Sequence, residues 1–187
     1  IEVKDAKTSG VILAQAGYFG GWTLYMKSGK VHHEYNWFAL ERTNVAAPAA
    51  LAAGKHTIVY EFIPDEAKPE TGGKSIINID GKKVAEGQIP KTQAYLFSGD
   101  EGVDVGVDGE TNVSPDYKQG DNRFTDKIIK DRVAGKNSRN RALRDWHRNQ
   151  LDRLPGLKWL RTLWVAQVSG GPYEFVAPRP GSTPLGL

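Results

Sequence analysis

Between Gly17 and Phe38 the chain runs GYFGGWTLYMKSGKVHHEYNWF, and this stretch restricts the fold more than any other. Trp22, Leu24 and Met26 alternate with Thr23, Tyr25 and Lys27. Ser28-Gly29-Lys30 supplies turn residues, and Val31-His32-His33-Glu34-Tyr35-Asn36 returns with β-branched and aromatic residues between polar ones. Side chains two apart share one face of a strand, so alternation on both sides of a glycine turn predicts a β-hairpin with one buried face.

The flanking segments extend that pattern. Val11-Ile12-Leu13-Ala14 reads as a short buried strand leading into the hairpin. Lys55 to Ile63 places His56, Ile58, Tyr60 and Phe62 on one face and Thr57, Val59, Glu61 and Ile63 on the other. Ser75–Asp80 and Val84–Ile89 flank Asp80-Gly81-Lys82-Lys83, and Asp-Gly suits a type I′ turn because both central residues take positive φ. Tyr95-Leu96-Phe97, Val103–Val107 and Phe124–Ile129 predict further strands. Thr43–Gly54, interrupted by Pro48, and Pro64–Lys74, with Pro69 and Gly72-Gly73, predict connections. About nine short strands, with no helical period before residue 137, predict an all-β sandwich or barrel.

At 187 residues, 39% hydrophobic and 25% charged, the chain suits one domain with an appendage. No apolar run approaches the roughly 20 residues that span a bilayer, which excludes a transmembrane helix. The opening Ile-Glu-Val-Lys-Asp has neither a basic n-region nor an apolar h-region, so a signal peptide is expected to be missing or removed. Cysteine is absent, which excludes disulfides, thiolate zinc sites and cysteine nucleophiles.

Charge divides the chain. Residues 1–130 hold 15 Lys+Arg against 18 Asp+Glu, a net of −3, whereas residues 131–187 hold 10 against 4, a net of +6. Arg42 and Arg123 are the two arginines of the first region, beside 13 lysines; the tail has eight arginines and two lysines. Within the tail, Leu143, Trp146, His147, Gln150, Leu151 and Leu154 recur at spacings of three and four, predicting an amphipathic helix over about 137–154, stopped by Pro155-Gly156. The remainder is Pro/Gly-rich. Arg139, Arg141, Arg144 and Arg148 beside Trp146, Trp159 and Trp164 allow two readings. They form a nucleic-acid or anionic-membrane surface, or the apolar residues dock on the β domain while the arginines stay solvated. The acids interrupting the basic run favour docking.

Reactive constellations are sparse. His32 and His33 are adjacent, so a regular strand points them to opposite faces and one ion cannot take both. The acidic stretch holding Asp100, Asp104 and Asp108 is glycine-bearing, as calcium loops are, but its spacing of four departs from the EF-hand; a rim calcium site and a solvated acidic loop are the two readings. No Gly-x-Ser-x-Gly, Walker loop or His-Glu-x-x-His occurs. Glu34 and Glu61 on neighbouring strands would be a glycosidase-type pair if their carboxyls had the required separation, and are otherwise surface acids.

Taken together, GVILAQAGYFGGWTLYMKSGKVHHEYNWFALER at residues 10–42 resembles the C-terminal β-sandwich domain of a group of large bacterial arylsulfatases. That domain characteristically runs Gly-Val-Leu-x-Ala-x-Gly-Gly-x-Phe-Gly-Gly-Trp/Tyr-Ser-Leu-Tyr-x-Lys-x-Gly-Lys, then Tyr-x-Tyr-Asn. Ala52–His56 matches its Pro-x-Gly-x-His with alanine replacing proline. Asp80–Ala85, and Asp104–Asp108 through Thr111, Val113 and Asp116-Tyr117, follow in order, so the likeness covers about residues 5–130. It implies a concanavalin A-like, jelly-roll antiparallel sandwich in a soluble protein of bacterial cytoplasm or periplasm, with an accessory role beside a sulfatase catalytic domain or its glycan substrate. The sulfatase nucleophile motif is not matched: cysteine is absent, and Ser182-Thr183-Pro184 continues as Leu185-Gly186 instead of reaching arginine. Catalysis is therefore not carried over.

A free-standing carbohydrate-binding module is the first alternative, with Tyr18, Tyr35 or Trp37 stacking on sugar rings, and a small hydrolase using Glu34 is the second. The likeness ends where Phe124–Lys130 gives way to Asp131-Arg132-Val133-Ala134-Gly135, just where lysine yields to arginine. This suggests the hypothesis that the tail arose by a reading-frame change or recombination. A coding sequence in which no shifted frame restores a Val/Thr-rich strand near residue 131 rejects the frame change.

Overall fold

Alternation in the sequence becomes antiparallel pairing in the structure. A computed structural model describes residues 1–66, 70–93 and 102–132. In chain order the strands are β1 (Glu2–Val3), β2 (Gly10–Gly17), β3 (Gly20–Lys27), β4 (Lys30–Trp37), β5 (Glu41–Ala46), β6 (Gly54–Lys55), β7 (Ile58–Pro64), β8 (Gly73–Ile79), β9 (Lys82–Ile89) and β10 (Val103–Val105). The fold is all-β among the described residues, and no helix among them is long and apolar enough to cross a membrane. The expected strand at Tyr95–Phe97 and the expected helix and basic tail beyond residue 132 lie outside the described residues.

Ile1–Ile129 forms one compact unit. A five-stranded sheet has the order β10-β2-β3-β4-β5, a three-stranded sheet the order β7-β8-β9, and β1 pairs with β6. Strands β2 to β5 are a meander. Its β3–β4 turn holds Ser28 at φ 50° and Gly29 at φ 74°, and the β8–β9 turn holds Asp80 at φ 51° and Gly81 at φ 80°. Both have the paired positive φ of a type I′ turn, whose twist matches the flanking strands.

The register sets which residues meet. Trp22 pairs with Tyr35, Leu24 with His33 and Met26 with Val31, while His33 in turn pairs with Val45. This face of the five-stranded sheet meets the three-stranded sheet. His33 stacks on Tyr60 of β7 with ring centroids 3.7 Å apart, Trp22 lies 6.4 Å from Tyr60, and Ser75 of β8 reaches His33. Gly87 of β9 lies opposite Val45: a Cβ at Gly87 would fall 2.5 Å from Val45 Cγ2. Ile77, Ile79 and Ile89 of the smaller sheet and Leu24, Met26 and Val31 of the larger are buried. Each contributes roughly 1.5–3 kcal/mol by leaving water.

Three expectations are corrected. The hairpin buries both faces, because Thr23, Tyr25, Glu34 and Asn36 on its polar side are also enclosed. Glu41–Ala46 is a strand, not part of a connection: Thr43 and Val45 suit the pleat, and β4 supplies a complete backbone partner. Phe124–Ile129 forms no ladder strand; it is held by an isolated bridge from Lys127 to Glu2, by Phe124 N–H donating to Gly106 O and Thr125 N–H to Ser9 O, both at 2.9 Å, and by side chains. Asp126 Oδ2 accepts from the Lys4 N–H at 2.9 Å and the Thr8 hydroxyl at 2.5 Å, and Thr125 Oγ1 accepts from the Ser9 N–H at 3.1 Å. These side-chain bonds, between residues more than 110 apart in sequence, stand in for a regular ladder.

Candidate functional site

The second face of the five-stranded sheet carries Thr23, Tyr25, His32, Glu34, Asn36, Arg42 and Asn44, as the pairings Thr23–Glu34, Tyr25–His32, Glu34–Asn44 and Asn36–Arg42 require. The irregular segment after β10 covers it. Backbone bonds fasten that segment: Gly106 N–H donates to Ile12 O at 2.9 Å, and Val11 N–H donates to Asn122 O at 2.8 Å. Ile12 sits at a register shift in the β2–β3 ladder, which frees its carbonyl for this contact.

A polar network joins sheet and cover. Glu34 is only 4% exposed. Its Oε2 accepts from Ser114 Oγ and Asn44 Nδ2, both at 2.9 Å, and its Oε1 lies 3.6 Å from Arg42 Nε. The Tyr25 hydroxyl donates to Asp116 Oδ2 at 2.5 Å and accepts from Asn44 Nδ2 at 2.8 Å, while Lys27 Nζ reaches Asp116 Oδ1 at 2.8 Å. Burial, followed by the bond to Asp116, pushes the Tyr25 phenol up and keeps it a donor. Burial would raise the Asp116 carboxyl, but hydrogen bonds from Lys27 and Tyr25 outweigh it and hold the group below the usual range. Deeper in, Asp108 is fully buried; its Oδ2 accepts from the Val113 N–H at 2.9 Å and from the Tyr117 hydroxyl. Burial and the Asp108 charge push Tyr117 up as well.

Beside this network, at the sheet end formed by the β2–β3 and β4–β5 turns, lies an open cleft of about 320 Å³. Tyr18, Phe19, Arg42, Asn112, Ser114 and Gln119 contribute to its lining. The two turns are tied together by Asn36, whose Nδ2 donates to the Tyr18 carbonyl at 2.8 Å and the Gly17 carbonyl at 3.2 Å while its Oδ1 accepts from the Ala39 N–H at 2.9 Å. Tyr18 and Phe19 are 48% and 64% exposed and meet edge to face at 5.2 Å. The Arg42 guanidinium carbon lies 5.6 Å from the Tyr18 ring centre. Phe38 and Leu40 on the adjoining turn are also exposed.

The sequence-derived candidates do not converge. Tyr18 borders the cleft, and Glu34 lies behind it as the counter-ion of Arg42. Tyr35 is on the opposite face, buried, and its hydroxyl accepts from the Gln93 N–H at 2.7 Å. Burial pushes that phenol up to about 12. Trp37 pairs with Glu41 at the end of β4, and its ring is covered by Lys91 Nζ at 3.7 Å. Glu61 alternates with Tyr60, which points at the larger sheet, so its side chain points away from the face that buries Glu34; the two carboxylates form no pair.

For the calcium reading, Asp100 lies outside the described residues. Asp104 Oδ2 accepts from the Gly109 N–H at 3.0 Å, Asp108 serves Val113 and Tyr117, and no three His, Asp or Glu side chains come together for a metal among the described residues. His32 and His33 do point to opposite faces: His32 stacks on Tyr25 at 5.0 Å, while His33 is enclosed against Tyr60.

Arg42, Phe19, Ser114 and Gln119 were not singled out by sequence reasoning. Arg42 did leave a signal. It is one of two arginines among 13 lysines in residues 1–130, as expected where a planar, multidentate donor is needed. Phe19, following Tyr18 between Gly17 and Gly20, sits on a tight turn that has no means of burying it. No protein-family model, curated protein or solved structure matches the chain.

Proposed function

We propose that residues 1–130 are a non-catalytic accessory domain, a concanavalin A-like jelly-roll sandwich related to the C-terminal region of large bacterial arylsulfatases, which contacts the glycan substrate beside a sulfatase catalytic domain. The supporting observation is the pairing of an open, aromatic-edged cleft with a carboxylate that is occupied structurally. Glu34 is enclosed and held by Ser114, Asn44 and Arg42, so it is placed to position the arginine and not to exchange protons with a substrate. Tyr18 and Phe19 offer exposed aromatic surface against which the C–H face of a sugar can pack.

Two measurements test this reading. A glycan array probed with the chain should show binding, while aryl sulfates and glycosides incubated with it should not turn over. Turnover that disappears in Glu34→Gln would replace the accessory role with the hydrolase alternative. The coding sequence immediately upstream separates a domain from a free-standing module: a sulfatase catalytic domain in phase supports the former.

A further inference from the structure

We propose that the Arg42 cleft binds an uncharged pyranose unit, with Arg42 donating to vicinal hydroxyl oxygens and Tyr18 and Phe19 packing on the ring; this rests on the glycan-contact role above. The first argument is the state of the guanidinium. Arg42 is a quarter exposed. Among the described residues it meets oxygen atoms at long distances: Val113 O at 3.5 Å and Glu34 Oε1 at 3.6 Å from Nε, and Ala39 O at 3.5 Å from Nη1. A guanidinium has five N–H donors and no acceptor, and leaving donors weakly met in a part-buried place is unfavourable. An oxygen-rich ligand in the adjoining cleft relieves this.

Charge selects among such ligands. Among the described residues Arg42 is the one charged residue in the cleft lining, and the enclosed Glu34 carboxylate behind it already balances it. A sulfate or carboxylate placed on Arg42 would put two negative groups, one of them the enclosed Glu34 carboxylate, against one positive group. Hydroxyl oxygens accept the same two N–H bonds and add no charge. The neutral polar groups nearby are engaged in shaping the loop: Thr111 Oγ1 accepts from the Tyr18 N–H, Asn112 Nδ2 donates to Tyr117 O, and Gln119 Nε2 donates to Glu110 O. Arg42 is therefore the principal directional donor, and the aromatic pair supplies the apolar wall. The volume of about 320 Å³ is at the lower end of the roughly 300–1,000 Å³ of ligand pockets, which suits a single ring.

The test is an amide-NMR titration of the full chain with neutral gluco-, galacto- and manno-oligosaccharides and, separately, with sulfated and uronate oligosaccharides, each at low and high salt. The expected result is binding of a neutral oligosaccharide, unchanged by salt, with shifts at Tyr18, Phe19 and Gln119. Phe19→Ala, at an exposed position, should weaken binding roughly threefold to tenfold. Arg42→Lys retains the charge but loses the fork and should also weaken it, with an unchanged amide spectrum elsewhere showing that the fold is intact. Salt-sensitive binding confined to sulfated or uronate sugars, or neutral-sugar shifts that avoid this cleft, would overturn the proposal while leaving a glycan-contact role standing. Failure of every glycan to bind would overturn both.

Discussion

His33 offers the sharpest test of how the two sheets are joined. Its ring is 1% exposed, stacks on Tyr60 at 3.7 Å and 14°, and lies 6.2 Å from Trp22. Its Nδ1 faces Ser75 Oγ at 3.3 Å, while Nε2 has no hydrogen-bond partner among the described residues. Burial disfavours the imidazolium and pushes its pKa down to about 3. An unfolded histidine titrates near 6.5. Above about pH 6.5 both states are neutral and His33 makes stability no function of pH. Between about pH 6.5 and 3 the unfolded chain binds a proton that the folded chain refuses, so stability falls with falling pH by up to about 1.4 kcal/mol per unit. From about pH 6.5 to 4.5 the loss is then about 2–3 kcal/mol, a large share of a typical 5–15 kcal/mol. His33→Phe keeps an aromatic ring against Tyr60 and removes the titration. Urea denaturation of both proteins between about pH 7.5 and 4.5 should show the variant gaining on the parent as pH falls. Contributions from His56 and the carboxylates are common to both and cancel. Parallel stability–pH profiles, or a His33 Cε1 resonance titrating near 6.5, would refute the reasoning.

Other perturbations separate packing, strain and charge. Glu34→Gln removes the counter-ion of part-buried Arg42 and should cost about 2 kcal/mol, seen as a lower urea midpoint with unchanged slope. Gly87→Ala should destabilise by roughly 1–3 kcal/mol because its Cβ meets Val45 Cγ2 at 2.5 Å; adding Val45→Ala should cost less than the two changes summed, and strict additivity would deny the contact. At the β4–β5 turn, Phe38 and Ala39 take φ 54° and 56°, with Leu40 N–H donating to Trp37 O at 3.0 Å. Ala39→Gly should relieve left-handed strain and raise stability by about 0.5–1 kcal/mol; a lower melting temperature would contradict the turn geometry.

The sequence made the meander legible where side-chain period and turn chemistry agreed. Trp22, Leu24 and Met26 do share a face with Val31, His33 and Tyr35, and Asp80-Gly81 does turn one hairpin. Glu41–Ala46 was harder to read because a strand with a ready backbone partner needs no strong alternation of its own. The second buried face was illegible for a different reason. Thr23, Glu34 and Asn36 look solvent-facing; Thr23 and Asn36 bond within the meander, but only the covering segment 106–123, 70 or more residues later, shuts out water and adds Ser114 to the partners of Glu34. The cleft shares that origin: Tyr18 was visible as an aromatic on a glycine turn, but Arg42 acquires meaning only when Glu34 and Ser114 are brought behind it.

Strand β4 makes these two layers interdependent. Its alternate residues Val31, His33 and Tyr35 are enclosed on the face toward the three-stranded sheet, while Glu34 and Asn36 are enclosed on the other. A slip by one residue would exchange the faces, setting the Glu34 carboxylate against Tyr60 and the His33 ring among Asn44 and Ser114. On either face the exchange leaves a buried polar group without the bonds it has now, a cost of several kcal/mol for a carboxylate. Hydrophobicity alone would specify this register weakly, since both faces are buried; the polar pairs specify it. The pairing of Asn36 with Arg42 follows from that same register. Asn36 ties the β2–β3 turn to the sheet end as Arg42 reaches over Tyr18. The cleft is thus positioned by the polar network behind it, and its arginine is aimed by a carboxylate that never needs to meet the ligand.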